Sequence, residues 1–521
     1  MDGFPGEGAA RPSDGDDREV GGGSRGPRSG RSAGSLRASA LWDLWEGPFS
    51  GYAAPMSENG LTAAQRKMRD ADVAEQAIDV FSHYYRALED GATGLIPEDT
   101  IEPLTRIDSI EDVEIGEDDA REALSRTVLI KLNGGLGTSM GMDRAKSLLP
   151  VRDGKSFLDL LVDQVMAARR LHRVALPLIF MDSFRTRRDT LAALAEHPGI
   201  EVDGLPLDFL QNREPKLRAD DLTPVTWEAD PDLEWCPPGH GDIYTALVAS
   251  GVLDALLERG YTYAMTSNSD NLGASPSARI AGWFAASGAP YAPEMCRRTP
   301  ADVKGGHLAV RKSDGRIILR DTAQTPADEM RFFTDQYRHP FFHTNNLWFD
   351  LEVLRDMLVA RKGILGLPLI KNAKTVDPAN SSSTPVIQLE TAMGAAVEAF
   401  EGATAIEVPR SRFLPVKTTN DLLLVRSDVY EIDDAGLLRM VPERACTVSL
   451  DPRYYKKIGD FEARFPHGVP SIRGAESLTV EGDWTFGADV VVTGEAHVGE
   501  EGSPGEVADG TRIRPGSEGR A

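Results

Sequence analysis

The sequence lacks most of what would mark a membrane, secreted, metal-cluster or nucleic-acid-binding protein. No stretch approaches the roughly 18 uninterrupted apolar residues that a spanning helix needs, and the N-terminus has no apolar core of the kind a secretory signal carries. In 521 residues there are three cysteines, Cys236, Cys296 and Cys446, far apart and without a CxxC pair or metal-ligand spacing. That usage excludes a disulfide framework and points to a reducing, cytoplasmic setting. Positive charge is scarce too: 57 Lys and Arg stand against 81 Asp and Glu, a formal net charge of −24. Such a surface repels nucleic acid and anionic membrane, and any phosphate site on it must be locally basic or metal-assisted. No serine, cysteine or histidine nucleophile motif occurs, which fits direct displacement better than a covalent intermediate.

What is present is a large apolar complement, 41% of the chain, enough for several domains. Residues 1–55 are the exception. Their glycine-rich first forty positions hold one aromatic, Phe4, and are expected to be a disordered tail, with Met56 a plausible true start. Val73, Ala77, Val80, Phe81, Tyr84 and Leu88 recur at helical spacing, so a helix is expected over 72–88 within an N-terminal helical segment, 56–120. From 121 to 425 short strands ("TVLIKL", "RVALPLIFM", "YTYAMTSNSD") alternate with helical stretches such as "FLDLLVDQVMAARRL". That alternation implies a mostly parallel sheet covered by helices, with ligands at the carboxyl ends of its strands. The last segment, 426–521, changes period. Leu478, Trp484, Val490 and Ala496 are six apart, as are Val480, Phe486, Val492 and Val498. A six-residue apolar period suggests a parallel β-helix, a plain antiparallel meander being the alternative.

The most unusual string is "KLNGGLGTSMGMDRAKS" (131–147), in which a strand ends in Gly134, Gly135, Gly137 and Gly141 and a lysine follows at 146. Glycines there let backbone approach an anion closely. A Walker loop needs GxxxxGK[ST], but Gly141 is followed by Met142 and Lys146 comes too late. The dinucleotide pattern GxGxxG is matched in part, with Met140 where its third glycine belongs. A nucleotidyltransferase loop, glycines against base and triphosphate with a lysine beyond, fits the spacing better. Other strings share this character. His240 sits between glycines in "CPPGHGDIY", and Asp270 follows a strand in "SNSDNLG". One carboxylate in that position suits Mg²⁺, which keeps waters and substrate phosphates as its other ligands, although a lone Asp there is as readily a turn former. "HTNNLW", "KNAK" and "IQLET" offer amides, lysines and a carboxylate to sugar hydroxyls, and "SRFLPVKTTND" offers Arg412 and Lys417 to a polyphosphate.

In order along the chain, "KLNGGLGTSMG", "VRDGKSFLDL", "PPGHGDIY", "SNSDNLGA", "ADVKGGHL", "TNNLW", "VIQLETAMGAA" and "VPRSRFLPVKTT" closely resemble the eukaryotic-type UTP–glucose-1-phosphate uridylyltransferase family. The resemblance runs from about residue 70 to about 430, and more loosely beyond. It implies a Rossmann-like nucleotidyltransferase core and a C-terminal left-handed β-helix. It implies UTP and glucose 1-phosphate as substrates, UDP-glucose and pyrophosphate as products, and Mg²⁺ on Asp270. By the same resemblance Leu132, Asn133, Gly134 and Gly135 lie against the nucleotide. Lys146 meets the phosphates, Gln211 and Gly239 face the uracil, and Asn268, Ser269 and Asp270 reach ribose and phosphates. Lys417 is the principal catalytic cation and His240 contacts the sugar phosphate, with Asn346, Asn372, Lys374 and Glu390 as candidates for the glucose. Three positions depart from the family pattern: Ala145 for proline, Asp182 for asparagine with altered sugar contacts as a consequence to check, and Asp321 for glutamate. A pyrophosphorylase for N-acetylhexosamine or galactose 1-phosphate, a catalytically silent nucleotide sensor and a nicotinamide oxidoreductase are the rival readings. Association, whether monomer or homo-oligomer through the C-terminal segment, is left open.

Overall fold

Two helices open the described part of the chain, α1 (Glu58–Asp70) and α2 (Glu75–Glu89). In this computed structural model the described residues are 58–299, 302, 305–444, 446–500 and 502–516, so the expected tail at 1–55 lies outside them. The helix expected from residue 72 starts later. Asp72 takes φ +56°, which ends α1, so Val73 belongs to a turn while Ala77, Phe81, Tyr84 and Leu88 line the buried face of α2.

The central sheet has eight strands: β1 (Asp108–Ser109), β2 (Thr127–Leu132), β3 (Leu178–Asp182), β4 (Asp208–Leu210), β5 (Tyr263–Asn268), β6 (Tyr291–Arg297), β7 (Phe341–Asp350) and, after the hairpin β8 (Ile370–Thr375) and β9 (Pro385–Glu390), β10 (Ile406–Glu407). Their spatial order is β1-β10-β6-β7-β5-β2-β3-β4. Only β7 runs against its neighbours. Parallel strands are wetted on neither face, and β2 shows it: Val128 and Ile130 join the core on one side, Leu129 the core on the other, all fully buried. The strand expected over 173–181 is shorter, because Arg173 adopts φ +56° as the C-cap of the preceding helix, α3 (Phe157–His172). That helix matches its apolar stripe. Ser156 and Asp159 form a reciprocal capping box at its start, and Phe157, Leu160, Leu161 and Val165 are buried against the sheet. The cap contributes about 1 kcal/mol and the four side chains several times that.

The C-terminal part settles the choice between meander and coil. Strands β11 (Thr447–Leu450), β12 (Ser471–Val480), β14 (Val491–Val498) and β16 (Arg512–Ile513) form one sheet, β13 (Asp483–Phe486) and β15 (Pro504–Val507) another. Every pairing among them is parallel, which excludes an antiparallel meander. Leu478 lies opposite Ala496 and Val480 opposite Val498, three six-residue steps on. These side chains extend the core beneath α3 without a break, through Leu450, Phe461, Ile472 and Val492. Among the described residues no helix is long and apolar enough to cross a membrane.

Candidate functional site

Strands β2, β3, β4 and β5 run parallel, so Asn133, Asp182, Gln211 and Asp270 emerge at one edge of the sheet. Leu132, half-buried, is the last residue of β2, and its carbonyl accepts from the Ser269 N–H at 3.0 Å. Asn133 is buried and turned away from the loop. Its Nδ2 donates to Asp182 Oδ1 (2.8 Å) and Thr190 Oγ1 (2.9 Å), so its side chain anchors the loop from beneath. Asp182, one of the departures from the family pattern, is fully buried beneath the glycines. Burial raises its carboxyl to about 6, against the pull of the Asn133, Thr190 and Thr186 donors.

The glycine loop is built for close approach. A side chain at Gly134 would meet the Gln211 amide at 2.6 Å, so that amide lies on the loop, whereas Gly135 faces open space. Gly137 and Gly141 take φ +64° and +75°, and the stem of Lys457, from the far end of the chain, packs on Gly141. Lys146 N–H closes the loop onto Gly135 O at 3.0 Å. Its Nζ lies 2.6 Å from Asp270 Oδ2 and also donates to Val416 O. The Val416 N–H in turn donates to Asp270 O at 3.2 Å. The segment that carries Lys417 is therefore pinned to both Lys146 and Asp270. Lys417 itself is exposed, and it exerts a downward pull on the carboxyl of Asp321, which burial raises.

A divalent cation fits this corner on one observation: Asp270 Oδ1 is buried and has no hydrogen-bond partner. Among the described residues no group of three or more His, Cys, Asp or Glu could hold a metal. A resident ion would thus take one carboxylate oxygen and complete its shell from water and substrate, the habit of Mg²⁺.

The opposite wall is joined main chain to main chain. Gly241 N–H donates to Thr391 O at 2.8 Å, and Thr391 N–H to Pro238 O at 2.9 Å. A side chain at Gly239, φ +80°, would strike Thr391 O at 2.5 Å. Between these glycines the half-buried His240 accepts from Met393 N–H at Nδ1, 3.0 Å. Burial lowers its pKa to about 4, so the ring is neutral and presents Nε2–H as a donor. Asp242 accepts from both the backbone and the side chain of Asn212 (2.6 and 2.8 Å), which ties Gln211 to this wall. Burial raises Asp242 to about 7.

On the sugar side, Glu390 Oε1 accepts from Asn372 Nδ2 at 2.8 Å. Lys374 does not join them. Ile370 is the residue that pairs with Glu390, so Lys374 lies four residues, about 13 Å, further along β8 and exposed. Asn346 is a second correction. It is fully buried with its amide committed to Glu294 Oε2 (3.0 Å), Asn271 and Arg412 O. Its neighbour Asn345, in the left-handed region at φ +64°, faces the site instead and donates to Asn268 Oδ1 at 3.0 Å. Arg412 is a third, because its guanidinium is buried against Glu294 and Ser275 O, out of reach of a polyphosphate. Sequence reasoning missed Asn271, Glu294 and Asn212. Of these only Glu294 left a trace, as a lone charge inside the apolar run "YAPEMC". The three cysteines are free and buried.

The family model described as UTP–glucose-1-phosphate uridylyltransferase matches residues 78–493. A UTP–glucose-1-phosphate uridylyltransferase of Solanum tuberosum is 38% identical over 425 residues, 80% of this chain and 84% of its own. The corresponding protein of Saccharomyces cerevisiae is 40% identical over 374 residues, 71% of this chain and 73% of its own. Among solved structures, the open and closed UDP-glucose pyrophosphorylase of Leishmania major superposes with a TM-score of 0.82 at 42% identity, covering 88% of this chain and 99% of that one. A variant of the same protein in complex with UDP-glucose gives the same TM-score, identity and coverage.

Proposed function

The chain belongs to the UTP–glucose-1-phosphate uridylyltransferase family, and on that premise we propose that it joins UTP and glucose 1-phosphate into UDP-glucose and pyrophosphate. The observation that carries the reading is the corner where Lys146 meets Asp270 at 2.6 Å, one carboxylate oxygen stays unpartnered, and Val416 binds both. A phosphate oxygen of the sugar attacks the α-phosphorus of UTP in line, the new P–O bond forms, and the bond to the pyrophosphate oxygen breaks. The nucleophile is already anionic at neutral pH, so no general base is needed. The barrier lies in bringing two polyanions together, which cations and positioning lower.

Gln211 reads the base from its place on Gly134, with Gly239 opposite, while the backbone of Leu132 to Gly135 lies along the nucleotide. Asn268 and Ser269 hold the ribose side. His240, neutral, donates Nε2–H to the sugar phosphate. Lys146 and Lys417 draw charge from the phosphates, and Asn372 and Glu390 meet the hexose hydroxyls. Mg²⁺ on Asp270, when bound, neutralises phosphate charge and orients the triphosphate. The hexapeptide period and parallel pairing of 447–513 support a left-handed β-helix in the segment 426–521, which would serve any self-association. The blocks 56–120 and 121–425 act as helical buttress and catalytic body. Three reduced thiols support a cytoplasmic setting.

The test mixes protein, UTP, Mg²⁺ and a panel of sugar 1-phosphates with pyrophosphatase and follows released phosphate. Glucose 1-phosphate should give the largest signal, and chelation should abolish the UDP-glucose signal when that product is followed directly by chromatography without the coupling enzyme. A larger signal from N-acetylhexosamine or galactose 1-phosphate would overturn the sugar assignment, and a signal indifferent to chelation would remove the metal.

A further inference from the structure

Beneath the Lys146–Asp270 corner lies a second carboxylate that no substrate can reach. Glu294 sits at an irregularity of β6, where the register with β7 shifts between Pro293 and Met295. The shift aims its side chain inward, where it is fully buried. Its oxygens accept four hydrogen bonds: Arg412 Nη2 (2.7 Å) and Trp348 Nε1 (2.9 Å) at Oε1, and Arg412 Nε (3.0 Å) and Asn346 Nδ2 (3.0 Å) at Oε2. Burial pushes the carboxyl up, but the bidentate Arg412 beside it wins and holds the group below the ordinary glutamate value.

What this carboxylate grips is the segment that faces the chemistry. Arg412 Nη1 donates to Ser275 O at 2.6 Å, and Arg412 O accepts from Asn271 Nδ2 and Asn346 Nδ2, both at 3.2 Å. Asn271 Oδ1 then takes the Leu414 N–H at 2.8 Å, Asn271 pairs with Pro415, and Val416 N–H reaches Asp270 O. From Arg412 to Val416 the chain is thus stitched to the Asp270 loop, and Lys417 is the next residue. At its Arg412 end the stitching is anchored by the charge of Glu294, as Lys146 anchors it at Val416.

We propose that Glu294 is a positioning residue for uridylyl transfer: through Arg412, Asn346 and Asn271 its carboxylate sets where Lys417 and the Val416 backbone stand relative to Asp270. The assignment rests on the proposed transferase reading of that site. A buried ion pair contributes little net stability compared with apolar residues of like volume, whereas breaking one partner is costly. A role in positioning is therefore separable from one in folding.

The test compares four full-length proteins with UTP, glucose 1-phosphate and Mg²⁺. Glu294→Gln keeps the shape, loses the charge and turns an amide N–H₂ toward donors. It is expected to lower kcat about 10²-fold, the scale of a 1 Å misplacement, while KM for either substrate stays within about threefold, since the residues touching substrate remain. Glu294→Asp restores the charge and should recover part of the loss. The double variant Glu294→Leu/Arg412→Met should melt within a few degrees of the parent yet stay slow, which a purely structural pair would not do. Parental kcat in either Glu294→Gln or the double variant overturns the proposal, as does a loss confined to KM. A crystal structure of Glu294→Gln supplies a readout independent of turnover. Residues 412–417 should shift off Asp270, and an unmoved segment refutes the clamp. If the parent protein transfers uridylyl to no sugar phosphate, the transferase reading fails by itself and this crystallographic comparison still decides the clamp.

Discussion

Asp270 and Glu294 are both carboxylates paired with a cation, and they are finished in opposite ways. Glu294 accepts four hydrogen bonds and has no lone pair to spare. Asp270 is paired through Oδ2 to Lys146 and leaves Oδ1 buried and empty-handed. A protein normally satisfies buried polar atoms, so the unpartnered Oδ1 beside a lysine is the feature on which the proposed metal role of Asp270 rests. A like contrast separates Asn345 from Asn346 and Lys417 from Arg412: residues of like chemistry close in sequence, one less buried and the other spent on the scaffold. Residue type tells what a side chain can do. Its remaining valence tells whether it is free to do it.

Asp270→Asn puts that contrast under the largest strain. Turnover is expected to fall about 10³-fold, and melting temperature should fall modestly as well, because the Lys146 ion pair loses its negative partner. Steady-state rates at saturating Mg²⁺, with a melting curve alongside, check it. Lys417→Ala comes next, at about 10²-fold or 2.7 kcal/mol of lost charge stabilisation, and near-normal turnover would remove Lys417 from the mechanism. The scaffold side is probed by Val492→Ala, a buried side chain of the C-terminal coil. It should cost about 2 kcal/mol in chemical denaturation and leave kcat alone.

The smallest effect is in pH. His240 has a folded pKa of about 4 against an ordinary 6.5, so between those values the unfolded chain takes up the proton first. Its contribution to stability is fully present above about pH 6.5 and drains away as the pH falls toward 4. Replacing it with Gln should flatten that acid-side slope in melting temperature, and kcat/KM of the parent should show no imidazole break near 6.5.

How much of this was legible follows from the same distinction. The glycine loop, Lys146 and Asp270 were readable because strand ends and glycines are local signals, and β2 fell on "TVLIKL" residue for residue. The six-residue period gave the parallel pairing because three repeats bring each apolar side chain level with its partner on the next strand. Asn346 and Lys374 were misplaced for reasons outside any local window. A left-handed residue at 345 shifts the alternation of β7, and the register of β8 against β9 sets Lys374 four residues past the level of Glu390. Arg412 looked like a phosphate ligand because its partner, Glu294, lies more than a hundred residues earlier. Asp182 stood out as a departure from the family pattern, but its three donors beneath the glycines did not.

The stem of Lys457 resting on Gly141 ties the tail end of the chain to the glycine turn that follows β2. That methylene contact works as a brake shoe set against the turn, and it comes from the last eighth of the polypeptide. A protein trimmed before residue 457 would thus idle with a slack cradle as well as melt sooner.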